Sequence, residues 1–225
     1  MSEPKHFTAI IVAGGTGTRM NAAIPKQFLL LRGKPILMHT LEKFRRANEI
    51  ILVLPESQTE QWKSLVMQHA FNIPHHIVHG GNTRYLSVKK GLAAVHQEGI
   101  VAIHDGVRPL VSTELINRCY EDAIKYGNSI PVISVPESVR SLQEESSTAE
   151  DRSRFVLVQT PQCFHTALIK KAYSGEYSPK YTDDASVLES AGIPIHLTEG
   201  ERWNIKITFK EDMKVADALS DNVGE

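Results

Sequence analysis

Short apolar runs alternate with amphipathic segments along most of the chain, and this alternation restricts the fold more than any other feature. The runs predict strands over 7–12, 50–54, 75–78, 100–104 and 129–135. The segments between them predict helices near 35–47, 57–70, 84–97 and 112–126. Such an order forms βαβ units, so we expect an α/β protein with a Rossmann-like, mostly parallel sheet flanked by helices. In such sheets, ligands bind beyond the carboxyl ends of the strands.

A glycine-rich loop follows the first predicted strand directly. It contains Gly14, Gly15 and Gly17, and it is followed by two cations, Arg19 and Lys26. Glycines can present backbone N–H groups to phosphate oxygens because no side chain stands in the way. Positive charges beside those amides suit a nucleoside triphosphate and stabilise charge at a reacting phosphorus. A strand-to-helix turn without a ligand is the alternative, but it leaves both cations unexplained.

The loop differs from the two best-known phosphate-binding loops. The Walker A pattern Gly-x-x-x-x-Gly-Lys-Ser/Thr occurs nowhere in the chain. In the dinucleotide pattern Gly-x-Gly-x-x-Gly, Met20 stands where a third glycine would let the helix pack closely against the strand. The sequence therefore disfavours both a Walker-type protein and an NAD-binding reductase.

Charge and cysteine content exclude several classes of partner. The chain has 225 residues, of which 25 are basic and 26 acidic, so no overall field attracts nucleic acid or a membrane surface. Cys119 and Cys163 form neither a Cys-x-x-Cys pair nor a disulfide framework. The N-terminus lacks the apolar core of a signal peptide, and no apolar run is long enough to span a membrane. We therefore expect a single cytoplasmic domain over 1–225 that binds neither nucleic acid nor membrane.

The segment 137–158 interrupts the alternation with a polar turn between two strand-like stretches. A two-stranded hairpin alone in water is only marginally stable, so this segment would need a partner surface. A solvent-exposed loop is the alternative, and composition alone does not exclude it.

The first loop, Ala13-Gly-Gly-Thr-Gly-Thr-Arg-Met20 with Pro25-Lys26-Gln27, resembles the signature of the sugar-phosphate nucleotidyltransferases. In particular, it is similar to the 2-C-methyl-D-erythritol 4-phosphate cytidylyltransferases of the non-mevalonate isoprenoid pathway, and the resemblance covers nearly the whole chain. It implies that Ala13 and the loop glycines bind the nucleotide. It also implies that Arg19 and Lys26 stabilise the transition state and the departing pyrophosphate.

A second motif, His79-Gly-Gly-Asn-Thr-Arg-Tyr-Leu-Ser87, follows a predicted strand and opens a helix. Arg84 and Ser87 lie on the same side of the first helical turn. By resemblance, Gly81, Asn82 and Ser87 read the cytosine edge while Arg84 braces the pocket. The family commonly has aspartates in place of Asn82 and Leu86. A plain helix N-terminus is the alternative.

A third motif, Ile100-Val-Ala-Ile-His-Asp-Gly-Val-Arg-Pro109, ends a predicted strand in an acid and an arginine. A carboxylate in that position can hold a divalent ion that bridges triphosphate oxygens, and we assign Asp105 to this role with Mg²⁺ as the ion. Arg108 would then face the incoming phosphate substrate. A structural salt bridge between Asp105 and Arg108 is the alternative.

The C-terminal half holds further candidates for substrate binding. Thr182 is expected to cap a helix and to touch substrate, whereas Asp183 and Asp184 are expected to be structural. Lys206 is predicted to lie in a short strand, pointing away from the isoleucines beside it and into a cleft. Asn-Ile-Lys-x-Thr around Lys206 and the run Gln159-Thr-Pro-Gln162 match the family, which adds Thr160 as a substrate contact.

In the family, the segment equivalent to 137–158 is an arm that embraces a second subunit. The resemblance therefore implies a homodimer with shared active sites. It implies that Arg152 and Ser138 reach into the neighbouring site to hold the sugar phosphate.

These assignments predict that CTP and 2-C-methyl-D-erythritol 4-phosphate react to give 4-CDP-2-C-methyl-D-erythritol and pyrophosphate. A phosphate oxygen would attack the α-phosphorus in line; no general base is required, because a phosphomonoester has a second pKa of about 6. Two alternatives remain. Ribitol 5-phosphate cytidylyltransferases share the first loop and the Asn-Ile-Lys-x-Thr motif, and a non-catalytic nucleotide-binding regulator could use the same loops.

Overall fold

The computed structural model describes residues 6–14 and 24–221. Three of the predicted site residues, Gly15, Gly17 and Arg19, therefore lie outside the described residues. The strands are β1 (Phe7–Val12), β2 (Leu30–Leu31), β3 (Lys34–Pro35), β4 (Glu49–Leu54), β5 (His76–His79), β6 (Ile100–Asp105), β7 (Asn128–Ser134), β8 (Val139–Leu142), β9 (Ser147–Glu150), β10 (Val156–Val158), β11 (Gln162–His165) and β12 (Leu197–Glu199). The α-helices are α1 (Ile36–Lys43), α2 (Thr59–Gln68), α3 (Arg84–Ala94), α4 (Thr113–Tyr126), α5 (Thr166–Tyr173), α6 (Asp184–Ser190) and α7 (Lys210–Leu219).

The central sheet confirms the predicted α/β fold. Its strand order is β10-β7-β11-β6-β1-β4-β5, and β12 pairs with β7. β1 pairs in parallel with β4 and β6, and β4 pairs in parallel with β5. β11 is antiparallel to both β6 and β7, so these two strands share one direction. All five strands predicted from the apolar runs are thus parallel to one another.

Strand β1 is covered on both faces, which explains why it reads as a continuous apolar run. Ala9 and Ile11 pack in a core that includes Trp62 of α2, whereas Ile10 packs in a second core on the opposite face with helix α3. Burying a side chain such as Ile10 contributes roughly 1.5–3 kcal/mol. These two cores fix the sheet as the middle of three layers.

The order of the strands creates a crevice beside β1. The chain passes from β1 outward through β4 to β5, and then returns to form β6 on the other side of β1. Val12 and Asp105 lie opposite each other where β1 and β6 end. A reversal of this kind is where open α/β sheets bind ligands.

The structure departs from the sequence prediction around the arm. The hairpin consists of β8 and β9, joined by a turn in which Gln143 N–H donates to Ser146 O (2.9 Å). The apolar stretch Val156–Val158, at the end of the predicted arm segment 137–158, pairs instead with β7 in the central sheet. The chain over 156–164 runs antiparallel beside β7. It pairs with β7 first as β10 and then, after a break in the ladder, as β11. The arm outside the central sheet is therefore Val139–Glu150.

Two smaller predictions were wrong. Lys206 is not in a strand, because the backbone around it forms no ladder with another described strand and is held by single bonds, such as Ile207 N–H donating to Val107 O (2.9 Å). The N-cap of α6 is Asp183 rather than Thr182, since Asp183 Oδ1 accepts from Ser186 N–H (2.9 Å). Within 6–14 and 24–221, none of the helices has both the length and the apolar character needed to span a bilayer.

Candidate active site

The glycine loop begins at the end of β1 and is held there by a glutamine. Ala13 is buried, and its N–H donates to Val53 O (2.9 Å). Gln27 is also buried, in the 3-10 turn Lys26–Phe28, and its Nε2 donates to Ala13 O (2.8 Å). This bond holds Lys26 beside the start of the loop. Gln27 was not predicted to have a role, although it stands next to the lysine in the Pro-Lys-Gln match.

Ser87 joins the first loop to the second. Its Oγ accepts from Gly81 N–H (3.1 Å) and donates to Thr83 O (2.9 Å). A Cβ added to Gly14 would lie 3.7 Å from the same oxygen. A Cβ on Gly81 would lie 2.4 Å from Leu86 Cβ, so only glycine fits there. Gly14, the first glycine of the first loop, therefore lies beside the second loop, in which Asn82 is exposed.

Asp105 is the centre of a cluster of cations. Its Oδ2 lies 3.1 Å from Lys206 Nζ and 3.2 Å from Arg108 Nε, and its Oδ1 lies 3.9 Å from Arg84 Nε. Burial alone would raise the pKa of Asp105. The attraction of Lys206, Arg84 and Arg108 outweighs it and holds that pKa well below the usual range of a carboxyl. Asp105 is therefore ionised throughout the neutral range.

Arg108 faces the protein as well as the crevice. It is buried, and besides its bond to Asp105 it donates through Nη1 to Asn204 O (2.8 Å). The salt bridge that was the alternative interpretation of this motif is thus present. Its role toward an incoming phosphate stays a prediction.

Lys206 reaches the crevice as the alternation predicts, although without strand pairing. Ile207 is buried while the Lys206 side chain is 43 % exposed. Asn204 anchors the segment, because its Nδ2 donates to Thr160 O (2.8 Å). In the Asn-Ile-Lys match, Asn204 thus fixes the backbone and Lys206 supplies the charge in the crevice.

Thr160 and His104 hold the end of β6 in place. Arg108 O can only accept, so Nε2 of His104 carries the ring proton and donates to it (3.1 Å). Nδ1 of the neutral ring then accepts from the Thr160 hydroxyl (3.1 Å), and Thr160 Oγ1 itself accepts from Asp105 N–H (3.1 Å). Burial lowers the pKa of His104 to about 4, so the imidazole is neutral. Both nitrogens are engaged, and His104 is a positioning residue rather than a base.

The depressed pKa of His104 predicts acid destabilisation. In the unfolded chain the imidazole gains a proton near pH 6.5, but in the folded protein only near pH 4, so stability is lost as the pH falls through this window. The shift corresponds to about 3 kcal/mol. We expect His104→Gln to reduce this dependence, measured as urea unfolding free energies of both proteins between pH 7 and pH 4.5. His39 and His75, whose pKa values burial also lowers, are common to both proteins. Parallel pH curves for the two proteins would contradict the assignment.

Arg84 is bound by an acid from the other half of the chain. Its Nη1 and Nη2 donate to Asp184 Oδ1 (2.8 Å) and Oδ2 (2.6 Å). Tyr173 Oη donates to the same Oδ1 (2.6 Å). Burial and the carboxylate together raise the pKa of Tyr173 well above its usual range, so it remains a donor. Asp184 thus has the structural role expected of it. Thr182 is exposed and lies two residues before α6 begins.

The two candidates from the segment 137–158, Ser138 and Arg152, flank the hairpin on either side. Arg152 begins the 3-10 turn Arg152–Arg154 that follows β9, and its guanidinium donates to Pro136 O. Ser138 is exposed just before β8. Among the contacts of the described residues, neither side chain bonds to Asp105 or Lys206 of its own chain.

The crevice does not fit a metal ion held by protein ligands alone. In the described part of the chain, no group of three or more His, Cys, Asp or Glu side chains could hold one. Asp105 is a carboxylate in the right place, but Arg84, Arg108 and Lys206 already surround it. We therefore derive no step through a metal at Asp105.

Comparisons with known proteins agree on one family. The family model described as 2-C-methyl-D-erythritol 4-phosphate cytidylyltransferase (IspD) matches residues 7–221. A protein of that name from Bacteroides fragilis is 54% identical over 215 residues, which cover 94% of this chain and 98% of the relative. The crystal structure of 4-diphosphocytidyl-2C-methyl-D-erythritol synthase from Anaerococcus prevotii has a TM-score of 0.82 at 30% identity, covering 96% of each chain.

Proposed function

This chain belongs to the 2-C-methyl-D-erythritol 4-phosphate cytidylyltransferase family, and from this premise we infer its reaction. It is a nucleotidyltransferase that joins CTP and 2-C-methyl-D-erythritol 4-phosphate to give 4-CDP-2-C-methyl-D-erythritol and pyrophosphate, in the non-mevalonate isoprenoid pathway. One observation carries this conclusion into the structure. Gly14 at the start of the first loop, Ser87 of the second motif and the Asp105 cluster all lie at the crevice beside β1.

The chemistry of the crevice fits a reaction that needs no general base. Asp105 is a very weak base because its pKa is held low, and the His104 imidazole is fully hydrogen-bonded. The sugar phosphate supplies an oxygen that is largely ionised, with a second pKa of about 6. Catalysis then consists of aligning this oxygen with the α-phosphorus of CTP and stabilising the added charge.

We assign the charged residues to the two halves of that task. Arg19 and Lys26 stabilise the reacting α-phosphoryl group and the leaving pyrophosphate. Lys206, which Asp105 orients and solvent reaches, holds the attacking phosphate together with Arg152 of a second subunit. Arg108 keeps Asp105 paired when Lys206 turns to the substrate.

We propose a homodimer built on the arm. Leu142 near its tip is 85% exposed, and Val156, Leu157 and Val158 of the edge strand β10 are each nearly half exposed. An isolated hairpin is marginal in water and an apolar edge strand favours association, so both features support a partner subunit. Such a subunit would bring Arg152 and Ser138 to the neighbouring crevice.

Magnesium is the cofactor that we propose, carried by the triphosphate. Mg²⁺ keeps several waters and is commonly bound by phosphates with one or two carboxylates, so Asp105 would be an additional ligand at most. When bound, the ion would neutralise triphosphate charge. We also propose a cytoplasmic location, in which the two buried free cysteines remain reduced.

Pyrophosphate release from CTP and Mg²⁺ tests the function when methylerythritol phosphate and ribitol 5-phosphate are offered in parallel. We expect turnover with methylerythritol phosphate and little with ribitol phosphate. A preference for ribitol phosphate would retain the chemistry but overturn the substrate. CTP binding without pyrophosphate release from either would favour the non-catalytic regulator.

A further inference from the structure

We propose that Asp184 positions Lys206 indirectly: it holds Arg84 away from Asp105 and so leaves Asp105 paired with Lys206. This inference deepens the proposed function and rests on it where turnover is concerned. Asp184 lies in α6, whereas Lys206 lies beyond β12. The effect of Asp184 reaches Lys206 through Arg84, which contacts Asp184, and Asp105, which contacts Lys206.

The Asp184 carboxylate is fully committed to two partners. Its side chain has no solvent exposure, and it accepts from Arg84 Nη1, Arg84 Nη2 and Tyr173 Oη. Capping of α6 does not need it, because Asp183 is the N-cap. Burying an ion pair costs desolvation that apolar side chains of similar size would avoid. A role beyond local stability would account for the buried charge.

Arg84 lies between two carboxylates and is bound closely by only one. Its terminal nitrogens are 2.6 and 2.8 Å from Asp184 oxygens, while its Nε is 3.9 Å from Asp105 Oδ1. The longer distance is an ion pair without a hydrogen bond. Asp184 thus sets how closely Arg84 approaches Asp105.

Without the Asp184 charge, Asp105 becomes the better partner for Arg84. A guanidinium binds a carboxylate through two parallel hydrogen bonds, which are stronger and more directional than a single ammonium contact. Lys206 now has that contact, with its Nζ 3.1 Å from Asp105 Oδ2. A bidentate Arg84–Asp105 pair would compete with it and release Lys206.

The release of Lys206 can be measured without substrate. The probe is acetylation by an N-hydroxysuccinimide ester at limiting reagent, with the modification of Lys206 quantified by mass spectrometry. We expect faster labelling of Lys206 in Asp184→Asn than in the wild type, approaching the rate in Asp105→Asn. In the double variant Arg84→Gln/Asp184→Asn the competing guanidinium is gone, and we expect the rate to return to that of the wild type.

Kinetics provide a second readout that separates positioning from binding. In Asp184→Asn we expect kcat per CTP-binding site to fall by on the order of tenfold, as for a lost hydrogen bond to a charged group. The KM values for both anionic substrates should stay equal or fall, because the crevice gains net positive charge. Asp184→Glu keeps the charge and should restore most of kcat.

Tyr173→Phe is the matched control. It removes a hydrogen bond from the same carboxylate but leaves the charge and the Arg84 contact, so it should lower the melting temperature without changing kcat or Lys206 labelling.

Unchanged labelling in Asp184→Asn would overturn the proposal, as would a double variant that labels as fast as the single one. If Asp184→Asn does not fold, fast labelling in the double variant would still overturn it, because no buried charge is left unpaired there. A wild-type enzyme that turns over no methylerythritol phosphate would refute the proposed function and leave the labelling result intact.

Discussion

Replacing Lys26 with alanine should lower kcat by roughly 10²–10³-fold, the effect of removing one preorganised group that faces charge in a transition state. The loss corresponds to roughly 2.7–4 kcal/mol of transition-state stabilisation. Lys26 is suited to this role because Gln27, next to it, is bonded to the first residue of the glycine loop. The measurement is pyrophosphate release at saturating CTP and methylerythritol phosphate. Arg19→Ala should behave alike.

Lys34→Ala is the control for the loss of a lysine. Lys34 lies close by in sequence, and its Nζ contacts Glu42 at 2.7 Å in a partly exposed pair. Such pairs contribute only about 0–1 kcal/mol to stability, so turnover should not change. Near-normal turnover in Lys26→Ala would refute the role of Lys26.

Mixed dimers of Arg152→Ala and Lys206→Ala chains should be clearly more active than either variant homodimer. Each homodimer lacks one phosphate-binding cation in both crevices, and we expect a loss of about tenfold or more for each. In the mixed dimer, one crevice combines the intact Lys206 of one chain with the intact Arg152 of the other. That crevice should work normally, giving about half the wild-type rate per dimer.

The experiment needs dimers of known composition. Two different affinity tags allow the mixed species to be purified, and gel filtration reports the oligomeric state. A mixed dimer no more active than the two homodimers would show that Arg152 serves its own chain. A monomeric enzyme with full activity would contradict the shared site altogether.

The sequence predicted the strands that are buried on both faces. β1, β4 and β6 lie within a residue of their predicted bounds because parallel strands in a three-layer fold are apolar throughout. β10 and β11 were missed as parts of the sheet, since an antiparallel strand between β6 and β7 depends on pairing between distant segments. No local pattern carries that information.

In the candidate site too, the local motifs could be predicted from the sequence and the long-range contacts could not. The loop residues and Asp105 are recognisable because their motifs are contiguous in sequence. The pairing of Arg84 with Asp184 joins residues a hundred positions apart, and the bond between Gln27 and Ala13 depends on how the chain returns after the loop. Such contacts arise from tertiary packing, which composition and periodicity do not encode.

The late position of β11 in the chain has a consequence for folding during synthesis. β6 forms its pairing with β11 only after about sixty further residues have been made, and Asp105 meets Lys206 about forty residues later still. A nascent chain that ends before β11 can assemble β1, β4, β5 and β6 but exposes one edge of β6. We expect this intermediate to be the species most prone to aggregation on the ribosome. In it, Asp105 is already in place at the end of β6 but is not yet paired with Lys206.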